Sequence, residues 1–357
     1  MKKFLLPVLL FTSVLGIQSC SEDFEVAAPY KNITVVYGML NIKDTAHYVR
    51  IQKAFLDENK NALEMAKVAD SNFYPESALD VKIKEISNGH IVGAPITLTR
   101  VDMNQEGYAK DSGIFFQAPN YAYKFKRDLN LTYQYRLVVE NTVTGIKDSA
   151  DINIIDSSYL TIRGDNLAPT NPNAAVNLNF ANANFATNQY KLFIDPGPVT
   201  SSNRPSYLEG IIRFRWMEKD LATGHQADKS ADFFFSSADV STGDPLSATN
   251  VSFYNFLKEA MKPAPTGVAR YMDSAYLYIY GAGDAYLSYI NTLAIQSTGL
   301  SADQIKPTFT NIKGKDVFGL FTSRTFRFKK LLIDQSTLDS LKSSSRVQEL
   351  NIQGRTP

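Results

Sequence analysis

The feature that most constrains the fold is a strict alternation of apolar and polar residues in short segments. Leu79–Lys84 places Leu, Val and Ile at every second position with Asp or Lys between them, and Tyr121–Lys126 repeats the alternation. A period of two puts the apolar side chains on one face of a strand. Each segment therefore predicts a strand that buries one face, and a chain rich in such segments has to build and cover several sheets.

Further strand patterns occupy the first half of the chain. They are Ile33–Tyr37, Tyr48–Gln52, Tyr133–Val139 and Ala150–Ile154, with a turn at Asn141–Gly145. Short strands at this spacing are typical of a sandwich of two antiparallel sheets. We therefore predict an immunoglobulin-like or fibronectin-like β-sandwich over residues 31–156, with one short helix at Asn61–Val68 across its end.

The second half, residues 157–357, mixes strand and helix patterns and begins with Gly, Pro and Asn punctuation at Gly164–Asn173. Apolar residues at i, i+3, i+4 and i+7 start at Phe253 and again at Tyr286, which predicts two helices. Strand patterns surround them at Tyr190–Ile194, Ile212–Trp216, Asp232–Ser236, Tyr271–Tyr280, Val317–Phe321 and Thr325–Leu332. The predicted fold class is mainly β, a sandwich followed by a β-rich α+β domain with two short helices.

The N-terminus carries the pattern of an exported lipoprotein. Lys2 and Lys3 precede an apolar run, Phe4–Ile17, that is too short to span a bilayer. Ser19 then leads to Cys20, the only cysteine in the chain. We predict that residues 1–19 are a signal peptide and that Cys20 becomes the lipidated first residue. Each buried acyl CH₂ adds about 0.8 kcal/mol of membrane affinity, so several chains anchor a protein durably.

Residues 20–30 are predicted to form a lipidated acidic tether. The segment after the cysteine resembles the acidic export signal with which Bacteroidota lipoproteins reach the outer face of the outer membrane. It consists of Ser21, Glu22, Asp23, Phe24 and Glu25. The resemblance implies a lipid-anchored protein of the outer membrane that is exposed at the cell surface.

Composition and motifs exclude several classes of function. Lys and Arg number 37 against 36 Asp and Glu, so no basic surface for nucleic acid is expected. Once Cys20 is lipidated, no thiol remains for disulfides, nucleophilic catalysis or metal binding. Motifs for serine hydrolases, zinc proteases and nucleotide binding are missing from the sequence. His47, His90 and His225 lie far apart and are expected at the surface, so no catalytic, cofactor or metal site is predicted.

Aromatic residues on one predicted strand allow two interpretations. Tyr276, Tyr278 and Tyr280 share a face, which could stack sugar rings or peptide side chains, or could be buried under the helix that contains Tyr286. Because the strand is apolar on both faces, we predict that the row belongs to the core. The basic run on the strand after it is interpreted as a solvated cationic face; it consists of Arg324, Arg327, Lys329 and Lys330, interleaved with Phe326 and Phe328.

Four segments resemble a Bacteroidota lipoprotein family catalogued as domain of unknown function 4249. They are VVYG at Val35–Gly38, VRIQKAF at Val49–Phe55, DAYLSYINTL at Asp284–Leu293 and TNIKGKDVFGLFTSR at Thr310–Arg324. Lys315 and Asp316 interrupt the glycine-rich run usual in the family. The resemblance implies a β-rich lipoprotein found beside TonB-dependent outer-membrane transporters, and it carries over no catalytic residues.

These features favour a non-enzymatic surface lipoprotein that binds a ligand or partner, next to a TonB-dependent transporter and attached to the membrane through its N-terminal lipid. A hydrolase of envelope or extracellular polysaccharide is the first alternative, because a glycosidase needs only two carboxylates at a suitable separation. A structural or adhesive surface protein is the second. No cofactor is expected for any of the three.

Replacing the predicted lipid attachment site tests the anchor. Cys20→Ser removes the thiol that accepts the acyl chains, so the protein should move from the membrane fraction to the soluble fraction of fractionated cells. Wild-type protein processed in parallel is the control. A Cys20→Ser protein that still sediments with membranes would contradict the prediction.

Overall fold

The computed structural model describes residues 33–54, 62–163, 176–181, 189–297 and 309–355. The predicted signal peptide, tether, lipidation site and export signal lie outside these residues. Strands hold 49% of the described residues and helices 19%, with several sheets and short helices, which confirms the mainly β fold class. Within the described ranges, no helix is long and apolar enough to cross a bilayer.

The strands in chain order are β1 (Ile33–Asn41), β2 (Ala46–Ala54), β3 (Leu79–Ser87), β4 (His90–Thr97), β5 (Thr99–Asp102), β6 (Tyr121–Lys126), β7 (Gln134–Asn141), β8 (Lys147–Asn153), β9 (Thr161–Arg163), β10 (Asn177–Leu178), β11 (Gln189–Asp195), β12 (Tyr207–Asp220), β13 (Gln226–Asp239), β14 (Leu246–Thr249), β15 (Val268–Ala282), β16 (Val317–Ile333) and β17 (Ile352–Gly354). The helices are α1 (Ala62–Ala66), α2 (Ala69–Asn72), α3 (Asn250–Met261), α4 (Asp284–Ser297) and α5 (Gln335–Ser343).

One ten-stranded sheet runs through both halves of the chain. Eight strands follow in the order β13-β12-β15-β16-β1-β2-β6-β5, while β10 pairs with β16 and β17 pairs with β15. The two halves meet where β1 and β16 pair in parallel, from Thr34 opposite Val317 to Asn41 opposite Arg324. The two strands predicted around Val317–Phe321 and Thr325–Leu332 are a single strand, β16, because its first part pairs with β1 and its later part with β15.

A close approach of the backbones accompanies this pairing at Gly319. Its φ of 127° lies in a region that favours glycine, and a Cβ there would come 1.9 Å from the carbonyl oxygen of Val36. Two residue pairs further along, Gly38 lies opposite Phe321. A Cβ added to Gly38 would lie 2.8 Å from the Phe321 ring, so the glycine leaves room for this ring. Glycines on both strands therefore set how closely β1 and β16 pack.

The first hydrophobic core lies between the long sheet and a four-stranded sheet, β4-β3-β7-β8. Val36, Ile51 and Phe125 of the long sheet meet Ile83 and Leu137 of the smaller one. The alternation noted in the sequence puts these side chains inward. Ile312, Val317 and Phe321 join the same core from the C-terminal part of the chain. The division into two domains at residue 157 stays a prediction.

The second core lies on the same sheet beyond β16 and centres on aromatic rings. Phe180 stacks on Phe253 of α3 at 4.1 Å between centroids, and Phe214 of β12 packs 5.1 Å from Phe253. A three-stranded sheet, β14-β11-β9, contributes Leu192 and Leu246. The predicted helices are α3 and α4, while α5 is a further helix that buries Leu338 and Leu341, so the prediction of two helices in this half was incomplete.

Arg270 joins α3 to the rest of the second core. Its side chain is 3% exposed and its guanidinium donates to the carbonyl oxygens of Met261 and Lys262 at the end of α3, and to Glu218 at 2.9 Å. A cation at a helix C-terminus stabilises the last carbonyl groups. The ion pair with Glu218 compensates the burial of that cation.

Asp148 carries a buried carboxyl group that is not hydrogen-bonded as fully as the buried guanidinium of Arg270. Asp148 of β8 is 4% exposed, and among the described residues its Oδ1 has no hydrogen-bond partner. Gly314 packs so closely that a Cβ there would lie 1.9 Å from this oxygen. Burial raises the pKa of Asp148 from 3.8 to about 6, because the charged form loses its hydration.

Asp148 should therefore make the fold less stable as the pH rises. In the unfolded chain the carboxyl ionises near pH 3.8, so folding takes up a proton between this pH and about 6. The corresponding stability is present below pH 4 and is lost as the pH rises through 6. In thermal unfolding, the melting temperature of Asp148→Asn should exceed that of wild type by an amount that grows from pH 4 to pH 7. A difference between the two proteins that does not change with pH would refute this account.

Candidate ligand-binding cleft

A cleft of about 860 Å³ opens at the β5 end of the long sheet. It lies between β2, the loop after α2, and strands β5 and β6. Its polar and aromatic lining includes Lys53, Phe73, Tyr74, Arg100, Asp102 and Tyr121. Clefts of several hundred Å³ lined by rings and a few polar groups are typical of small-ligand sites.

Aromatic rings and one guanidinium form a wall of the cleft. Tyr121 meets Phe73 edge to face at 5.3 Å between centroids, and the guanidinium carbon of Arg100 lies 3.7 Å from the centre of the Tyr121 ring. Nη1 of Arg100 donates to the carbonyl oxygen of Tyr74 at 3.0 Å. The stacking and the hydrogen bond together fix a flat cation at the cleft surface.

Local chain geometry positions these rings. Asn72, at the end of α2, is buried and donates from Nδ2 to the carbonyl oxygen of Val68 at 2.9 Å. This bond holds the turn that carries Phe73 and Tyr74 into the cleft. The hydroxyl groups of Tyr74 and Thr34 lie 2.7 Å apart, which ties the loop to β1. The rings are therefore held by the sheet before any ligand arrives.

The charged groups of the cleft have distinct roles. Lys53 donates to the carbonyl oxygen of Asp70 at 2.6 Å and lies 5.9 Å from the centre of the Tyr74 ring. The carboxylate of Asp102 accepts the backbone N–H groups of Asn104 and Asn120, so it organises its own loop. Two cations line the cleft beside the rings, a combination suited to a ligand with planar or carboxylate groups.

The cleft has little signal in the sequence and was not predicted. Its lining comes from segments that lie far apart in the chain, and only the cluster Phe73-Tyr74-Pro75 after a predicted helix hints at an aromatic loop. The three histidines do not meet there. His90 and His225 are exposed, but the prediction of a surface position is wrong for His47, which is 2% exposed with Nε2 2.9 Å from the carbonyl oxygen of Arg127. Burial lowers the pKa of His47.

Metal binding finds no support in the parts of the chain that the structure describes. No group of three or more His, Cys, Asp or Glu side chains there is arranged to hold an ion. The carboxylates that line the cleft are Asp70, Glu76 and Asp102.

The tyrosine row lies on the outer face of the long sheet, and the prediction that it belongs to the core is wrong. Tyr276, Tyr278 and Tyr280 are half-buried, whereas Leu277 and Ile279 between them are 0% exposed. The aliphatic face of β15 packs in the second core. The opposite face carries the tyrosines together with charged neighbours, which favour water over a second apolar layer.

Comparisons with protein-family models and with curated proteins give no match. One solved structure is weakly similar, the C-terminal globular domain of an oligosaccharyltransferase from Pyrococcus abyssi. The identity is 9%, the match covers 81% of this chain and 43% of that one, and the TM-score is 0.15. Similarity at this level does not define a shared fold.

Two neighbouring substitutions on β15 should distinguish its buried face from its outer face by the loss of stability that each causes. Leu277→Ala leaves a cavity in the core and should cost about 2–5 kcal/mol of unfolding free energy. Tyr278→Ala removes a half-exposed ring and should cost about 1 kcal/mol. Urea unfolding of both variants measures the difference, and a Tyr278→Ala loss equal to that of Leu277→Ala would restore the core assignment of the tyrosine row.

Proposed function

We propose that this chain is a non-enzymatic, lipid-anchored accessory protein of the outer membrane that binds a ligand or partner in the cleft around Arg100 and Tyr121. The observation that carries the proposal is the fixed stack of Arg100 on Tyr121. A cation held in advance loses little conformational freedom when it meets a ligand, so its contacts add directly to affinity. The planar guanidinium suits carboxylate or amide groups.

The arrangement of the cleft favours binding over chemistry. Asp102, one of the three carboxylates that line the cleft, accepts two backbone N–H groups through Oδ1, which ties it to its own loop. General acid–base work needs a group that changes its partner during the reaction. The rings and cations instead offer stacking and hydrogen bonds, as in sites that hold and release a ligand.

The N-terminal pattern and the family resemblance support the proposed location. The sequence around Cys20 supports anchoring to a membrane, and the acidic residues Glu22, Asp23 and Glu25 support sorting to the cell surface. Resemblance to lipoproteins found beside TonB-dependent transporters makes such a transporter the proposed neighbour. In this arrangement the lipid holds the cleft near the transporter, which raises the local concentration of a shared ligand.

Site-specific photocrosslinking in a Bacteroidota host tests the proposal. A benzoylphenylalanine at Glu76, an exposed residue of the cleft, should form an adduct in intact cells with a small ligand or with an outer-membrane transporter, identified by mass spectrometry. The same probe at Leu221, 59% exposed in the turn between β12 and β13, is the positional control.

A matched pair of arginine variants sharpens the test. Arg100→Ala removes the stacked guanidinium of the cleft and should abolish the Glu76 adduct. Arg213→Ala removes an arginine that also lies over a tyrosine, 5.4 Å from the ring of Tyr278, and should leave the adduct intact. Equal adducts from Glu76 and Leu221, or an adduct that survives Arg100→Ala, would reject the cleft as the binding site.

A further inference from the structure

A second surface, distant in the sheet from the cleft, carries a row of apolar side chains of which two are exposed and two half-buried. Phe234 of β13, Ile211 of β12, Tyr278 of β15 and Phe328 of β16 lie directly opposite one another across four strands. At about 4.8 Å per strand the row extends roughly 14 Å. Phe234, on the edge strand β13, is 57% exposed, and Phe328, inside the sheet, is 60% exposed, which is unusual for large rings on a sheet face.

A neighbouring pair widens this row into what we call the aromatic platform. Tyr280 lies opposite Phe326, with ring centroids 6.0 Å apart and planes 39° from parallel. Tyr278 and Phe328 show similar geometry, at 6.2 Å and 34°. The rings of each pair therefore turn their faces in similar directions. The aromatic platform consists of Phe234, Ile211, Tyr278, Phe328, Tyr280 and Phe326.

Charged groups stand beside the platform in fixed positions. Arg213 makes two hydrogen bonds of 2.7 Å to the carboxylate of Asp232 and lies 5.4 Å from the ring of Tyr278. Lys43 donates to the carbonyl oxygen of Phe326 at 2.6 Å, and its Nζ is 4.5 Å from the centre of that ring. Lys330 is exposed and lies opposite Tyr276, two residue pairs from the row and on the same face.

The described charged side chains of this face carry a small net positive charge. Next to the platform, the carboxylates of Glu209, Asp228 and Asp232 are outnumbered by cations on the same face. These cations are Arg213, Arg215, Arg324 and Lys330. Arg213 is neutralised by Asp232 in a two-bond pair, and the other cations leave the described part of this surface with a small excess of positive charge that complements an acidic ligand.

The mixture of rings and charges decides which kind of ligand fits. Centres of protein interfaces are depleted of charged residues, and burying the Arg213–Asp232 pair under a protein would cost desolvation. The hydrocarbon of a membrane imposes the same cost. A polysaccharide combines apolar ring faces, which stack on aromatic side chains, with hydrated edges that leave flanking charges in contact with water and hydroxyl groups.

We infer that the aromatic platform binds an acidic polysaccharide, with sugar rings stacked on Tyr278 and Phe328 and the acidic groups paired with the flanking cations. This site lies beyond the proposed function, since it shares no residue with the cleft. A flat surface of this kind holds a segment within a long chain, whereas the cleft accommodates a compact ligand.

Affinity electrophoresis of the full chain carrying Cys20→Ser tests the inference. Polygalacturonate, alginate and dextran sulfate in the gel are the acidic polymers. Methyl-esterified polygalacturonate, which keeps the sugar backbone but loses the charge, and dextran are the neutral ones. An acidic polymer should retard the protein and the neutral ones should not. Phe328→Ala and Tyr278→Ala should each weaken the retardation about ten-fold, because each removes a stacking ring.

Controls separate loss of the site from loss of the fold. Phe115→Ala removes another exposed ring, 49% exposed and in the first half of the chain, and should leave retardation unchanged. Lys330→Gln should weaken retardation and reduce its sensitivity to salt. Melting curves report whether each variant is folded.

Three results would overturn the inference. The first is that no acidic polymer retards the folded wild-type protein. The second is that neutral and acidic polymers retard it equally. The third is that it binds phosphatidylglycerol vesicles and no polysaccharide, which would assign the platform to a membrane surface instead.

Discussion

The parallel pairing of β1 with β16 is the contact on which the rest of the structure depends. It joins strands from the two ends of the chain into one sheet, and it places Val317 and Phe321 in the core of the first half. Gly319 makes the pairing possible, because any side chain there would meet the carbonyl oxygen of Val36. Both the cleft and the aromatic platform are parts of the sheet that this pairing completes.

The two faces of the long sheet differ in what covers them. The inner face supplies both hydrophobic cores, where the buried Arg270 pairs with the partly exposed Glu218. Arginines lie over tyrosines at two distant places, Arg213 with Tyr278 on the outer face and, at the sheet's end, Arg100 with Tyr121 on the face that also carries the core residues Tyr123 and Phe125. Such stacking orders a long side chain without burying its charge. The protein thus presents fixed cations at its surface without the cost of burying them.

Local patterns in the sequence predict most strands, because a period of two depends only on neighbouring residues. Leu79–Lys84 and Tyr121–Lys126 fall within β3 and β6. The pairing of β1 with β16 has no local signal, since partners in a parallel pair can lie anywhere in the chain. The prediction that the tyrosine row is buried was wrong because β15 has apolar residues on both faces. Its smaller side chains, Ala275, Leu277 and Ile279, are the ones that fill the core. Helix α5 was not predicted because it contains few apolar residues. The cleft was not predicted because separate loops build it.

The β1–β16 pairing also has a consequence for the order in which the chain folds. A polypeptide emerging from its N-terminus presents β1 and β2 long before β16 has been made. Until then, one edge of β1 exposes unpaired N–H and C=O groups, which can add strands from other molecules. Closing a loop of nearly the whole chain is slow and makes such intermediates persist. The completed sheet therefore implies a period of vulnerability to aggregation during which a holding chaperone would be most valuable to this protein.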